Sequence, residues 1–141
     1  MSNYGITINP TITREGMLNL FWDALCGGSI GFGCVGIDCD KKTYADARER
    51  TKILKAANPS DYITGSSVCY EDVMTEVLRA GGELKYVDYE DDVVVPFNLD
   101  HLMGNFKNVE PHILEQMMKD YDSITTDSLL QCLLLGEIVY G

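Results

Sequence analysis

The stretch from Ser66 to Phe97 changes its hydrophobic period once, at Gly81-Gly82, and that change restricts the fold more than any other feature of the chain. Before the glycines, Val68, Val73, Val77 and Leu78 recur at helical spacing, Ser66-Ser67 offer caps, and Glu71 follows in the first turn. After them, Leu84, Tyr86 and Asp88 alternate with Lys85, Val87 and Tyr89, and Val93 to Phe97 follows a short acidic turn. A 3.6-residue period marks a helix with one buried face, and a 2-residue period marks a half-buried strand. The chain is therefore expected to hold a helix ending at the glycine pair and two antiparallel strands joined at Glu90-Asp91.

The same reading extends to both sides. Thr13 is placed to cap a helix carrying Met17, Leu18, Leu20, Phe21, Ala24 and Leu25, which stops at Gly27-Gly28. Gly5 to Ile8 permits a short strand ending at Pro10, and Ile30 to Ile37 reads as a glycine-rich strand with Ile30, Phe32 and Cys34 on one face. Residues Asp38 to Asn58 are polar and basic with a helical pattern only in their later half, so they read as a mobile excursion. Asn98 can cap a helix with Leu99, Leu102, Met103 and Phe106, and another runs from Pro111 through Met118. The last helix is expected to start near Thr126, bury Leu129, Leu130, Leu133 and Leu134, and end at Gly136 before an extended tail, Glu137 to Tyr140. No repeat, linker or low-complexity tract divides the 141 residues. The expectation is one α+β domain, residues 1–141, with a small antiparallel sheet packed against several helices, folding alone or as a small oligomer.

Charge narrows the function classes. The chain carries 11 Lys+Arg against 22 Asp+Glu, a net charge of −11, and residues 81–141 hold 3 basic and 12 acidic side chains, which is −9 of that total. Such a field repels phosphate backbones and argues against direct nucleic-acid binding, whereas it attracts a basic protein groove. The apolar runs fall far short of the roughly 20 residues a membrane-spanning helix needs, and Met1 to Asn9 lacks a signal-peptide pattern, so a cytoplasmic protein without membrane contact is expected. Five cysteines (Cys26, Cys34, Cys39, Cys69, Cys132) without a C-x-x-C pair read as free reduced thiols.

Several patterns imitate chemistry. Gly31 to Gly36 (GFGCVG) matches G-x-G-x-x-G, but a dinucleotide fingerprint needs a strand before it and a helix after it, and here a helix precedes. Cys34 with Cys39, or His101 with His112, lacks the spacing of a zinc site, and Asp38 with Asp40 lacks the closing Glu of a calcium loop. No nucleophile elbow or cysteine-protease signature surrounds any Cys. No catalytic residue, metal ligand or cofactor is assigned from these residues. Asp88, Glu90, Asp91 and Asp92 crowd the hairpin tip; a solvated, edge-blunting tip is the plain reading, and partner binding is the functional one.

Three stretches carry a family likeness: Gly27 to Phe32 (GGSIGF), Glu76 to Glu90 (EVLRAGGELKYVDYE) and Thr126 to Gly141 (TDSLLQCLLLGEIVYG). They resemble a small protein family common in phages, prophages and other mobile elements, in which a GGIGYW-like segment follows the first helix and the chain closes close to ALFGExVYG. Asp127, Gln131, Gly136, Glu137, Val139, Tyr140 and Gly141 match that ending, Leu135 stands where the family often has Phe, and Phe32-Gly33 replaces the usual Tyr-Trp. The resemblance implies a phage accessory protein of unassigned activity. With the charge, it leads to a non-enzymatic inhibitor of a bacterial defence system, anti-CRISPR-like, binding a host protein with a basic surface through Asp88, Glu90, Asp91 and Asp92. Two other readings stand beside it: a sponge or sensor for a nucleotide signal using the glycine-rich strand with Arg48, Arg50, Lys52 and Lys55, and a phage structural or assembly accessory. A Cys/His hydrolase is the enzymatic alternative.

Overall fold

The structure, a computed structural model, describes residues 11–27, 35–57, 68–120 and 122–138. In chain order these form α1 (Arg14–Gly27), β1 (Val35–Asp38), α2 (Lys41–Ala57), α3 (Tyr70–Arg79), β2 (Leu84–Asp88), β3 (Val93–Phe97), α4 (Leu99–Asn105), a 3-10 turn (Phe106–Asn108), α5 (Pro111–Lys119) and α6 (Ser123–Leu135). The fold is α+β, as the change of hydrophobic period requires. The strand expected at Gly5 to Ile8, residues 30–34 of the expected glycine-rich strand and residues 139–140 of the expected tail lie outside the described residues.

The core forms where the apolar stripes meet. Helix α1 buries Met17, Leu18, Leu20, Phe21, Ala24 and Leu25, and it packs on α3, α4 and α6. Its start is fixed by Thr13, whose hydroxyl accepts from the Gly16 N–H at 3.0 Å. Helix α6 buries Leu129, Leu130, Leu133 and Leu134 against α1, α4 and α5. It begins a turn earlier than the sequence pattern indicates, because Asp122 and not a later residue caps it by accepting from the Thr125 N–H at 2.9 Å. Those hydrogen bonds from Thr125 hold the Asp122 carboxyl below its ordinary range.

The sheet runs β1-β2-β3, antiparallel throughout, with Ile37↔Tyr86 and Tyr86↔Val95 in register. Its inward face supplies Ile37, Leu84, Tyr86 and Phe97 to the core, and the Phe97 ring meets Phe21 edge-on with centroids 6.0 Å apart. Between α3 and β2 the chain reverses at Gly81-Gly82. Gly81 has φ +84°, and a Cβ on Gly82 would stand 2.9 Å from the Val77 carbonyl oxygen, so both positions demand glycine.

Two expectations are corrected. The excursion is a full helix: α2 runs from Lys41, with Asp40 accepting from the Thr43 N–H at 3.2 Å, and its buried stripe is Ala47, Thr51 and Lys55. Small and polar residues at i, i+4 and i+8 give no apolar signal, which is why the early turns look irregular in sequence. Helix α3 has Cys69, not a serine, at its N-cap position; Ser66-Ser67 lie outside the described residues.

Candidate functional site

The acidic tip is built from the register of β2 and β3. Asp88 pairs with Val93, and Tyr89, Glu90, Asp91 and Asp92 make the turn between them. Asp92 takes φ +52°, a left-handed conformation that aspartate tolerates better than most side chains. Glu90, Asp91 and Asp92 are exposed, as expected, and none of them forms an ion pair among the described residues. Lys85, the nearest base in sequence, sits back along β2 opposite Pro96 and Asp38.

Asp88 does not belong to that exposed set. It is only 3% exposed. The alternation that turns Leu84 and Tyr86 inward turns Asp88 inward too, and its Oδ1 accepts from the N–H groups of Glu90 at 3.0 Å and Asp91 at 3.2 Å. Its carboxylate therefore satisfies the turn from within and cannot face a partner. Around the tip lies apolar surface: Tyr89 is 59% exposed and Val94 54%, with Val93 beside them. The Tyr89 ring covers Gly36, where a Cβ would come within 3.6 Å of its Cε2.

A second polar cluster joins three helices and was not visible in the sequence. Trp22 on α1 donates from Nε1 to Asp72 Oδ1 on α3 at 3.0 Å, and Lys55 on α2 brings its Nζ to 3.8 Å from Asp72 Oδ2. Both charged side chains are buried, Lys55 at 5% and Asp72 at 9% exposure. One turn on, Glu76 is buried beside Arg79, which also pairs with Glu15 of α1 at 3.0 Å. Lys55 thus faces inward and is lost to the basic cradle proposed for a nucleotide, while Arg48, Arg50 and Lys52 remain exposed along α2.

The described thiols are all poorly ionised. Burial, then Glu71 and Asp23, pushes Cys26 up; burial, then Asp40 and Asp38, pushes Cys39 up; burial raises Cys132; and burial drives Cys69 to about 11. Cys34 lies outside the described residues. His101 places Nε2 2.9 Å from the Leu134 carbonyl oxygen and so closes the end of α6, and His112 stands exposed 3.3 Å from Glu110. Neither histidine hydrogen bonds to a described cysteine. Among the described residues no group of three or more His, Cys, Asp or Glu is arranged to hold a metal ion, and no helix is long and apolar enough to cross a membrane. No protein-family model matches the chain, and no curated protein or solved structure is found to be similar to it.

Proposed function

We propose that the chain is a non-enzymatic binding protein that docks its hairpin tip on the basic surface of a protein partner, as an anti-defence accessory of a phage or mobile element would dock on a defence nuclease. One observation carries the reading: Glu90, Asp91 and Asp92 stand exposed, with no ion pair among the described residues, on a turn whose backbone the buried Asp88 fixes. A tip held in one conformation loses little entropy on binding, and unpaired like charges have no internal bond to break before they meet a cation. The net −9 of residues 81–141 adds a long-range field that speeds encounter with a basic groove. The raised thiols weigh against a cysteine hydrolase, and the inward Lys55 weighs against the nucleotide sponge.

The test is phage plating on hosts carrying nuclease-based defence systems, with the chain expressed from a plasmid. The parent should restore plating against at least one such system, and E90Q/D91N/D92N should lose most of that rescue while melting like the parent. Equal rescue by the triple variant, or no rescue across the systems, overturns the proposal.

A further inference from the structure

Among the described residues no strand pairs with β3 on the side away from β2, and that edge has an unusual hydrogen-bonding profile. Proline has no N–H, so the ladder of five register pairs between β2 and β3 closes through Leu84/Phe97, Tyr86/Val95 and Asp88/Val93, and not through Lys85/Pro96 and Val87/Val94. The N–H and C=O of Val94 and the C=O of Pro96 consequently point away from β2, at the edge where the sheet ends. The opposite edge is different. The same alternation turns the Ile37 carbonyl of β1 outward, and there the Tyr70 hydroxyl of α3 donates to it at 2.9 Å.

We propose that the partner segment is extended and basic, and that it adds to the β3 edge: its main chain bonds to the Val94 N–H and C=O and to the Pro96 C=O, and its Lys or Arg side chains reach Glu90, Asp91 and Asp92. This rests on the reading that the acidic tip is the docking surface. Strand addition draws affinity from main-chain bonds and specificity from side chains at alternate positions. Here the three outward groups define a short lane, closed at one end by the missing donor of Pro96 and at the other by the left-handed turn at Asp92. Exposed Val94 supplies apolar contact within the lane. Charge selects the occupant: a second copy carries the same net −11 and the same acidic tip, so a β3–β3 pair would set like fields against each other, whereas a basic strand complements the tip.

A short capped peptide alternating Val or Thr with Lys or Arg is titrated into the full ¹⁵N-labelled chain, alongside the same peptide N-methylated at alternate residues. The unmethylated peptide should shift the Val94 amide and slow its hydrogen exchange. V94P, which removes an outward N–H and exchanges the Val94 side chain for a ring, should keep the parent melting curve and weaken peptide binding roughly 10-fold, and backbone methylation of the peptide, which leaves Val94 intact, should do the same. E90Q/D91N/D92N should instead flatten the salt dependence. Binding unaffected by both V94P and N-methylation overturns strand addition; if the acidic triple still weakens it, the tip docks by charge alone and the functional reading survives. Loss of sensitivity to all three variants removes both. No shift at Val94 with peptide raised to about 1 mM, the weak limit for a specific contact, also overturns strand addition. Should V94P melt early, the methylated peptide decides.

Discussion

At the scale of single residues, Asp88 is the position where charge and pattern disagree, and the pattern wins. Four acidic residues within five positions look like one solvated cluster, yet the alternation of Leu84, Tyr86 and Asp88 already puts the last of them on the inward face. Glu90, Asp91 and Asp92 were legible in sequence because a turn between two strands has nowhere to bury them. Asp88 was misread because a carboxylate is costly to bury unless something donates to it, and the donors are backbone N–H groups that no side-chain pattern records. Asp88→Ala should therefore leave two turn N–H groups without their acceptor and cost about 1–3 kcal/mol in urea denaturation, with Asp88→Asn milder because an amide oxygen still accepts. An Asp88→Ala variant as stable as the parent would show that the turn holds itself.

At the scale of elements, those with apolar stripes were readable and those with polar stripes were not. The leucines of α6 predict their own burial, and all four are at most 1% exposed. Leu130→Ala or Leu133→Ala should cost on the order of 2–5 kcal/mol in thermal or chemical unfolding, since each leaves a cavity between α6 and its neighbours. Near-neutral effects from both would contradict the helix packing described. Helix α2 shows the opposite case. Its buried side chains are an alanine, a threonine and a lysine, and it is held by packing on α3, where Asp72 faces Lys55. That partner lies 17 positions further along the chain, beyond the reach of any periodicity argument.

At the scale of the whole molecule, the Trp22, Lys55 and Asp72 contact ties α1, α2 and α3 together through one buried carboxylate. Lys55→Met should destabilise by about 3 kcal/mol, because it strands that carboxylate without its cation, and K55M/D72N should recover much of the loss because the amide still accepts from Trp22. A double-mutant cycle in urea measures this, and simple additivity of the two changes would mean that Lys55 and Asp72 do not couple. The sheet has a consequence at the same scale. Because a hydroxyl from α3 already occupies the Ile37 carbonyl, a strand cannot join β1 without displacing Tyr70. A sheet that can lengthen on one flank only is a terminus for polymerisation: two copies meeting edge to edge would leave no flank for a third. Among the described residues the flank open to a further strand is that of β3, where a second copy brings the same net −11, so growth of this sheet from chain to chain is disfavoured at both flanks.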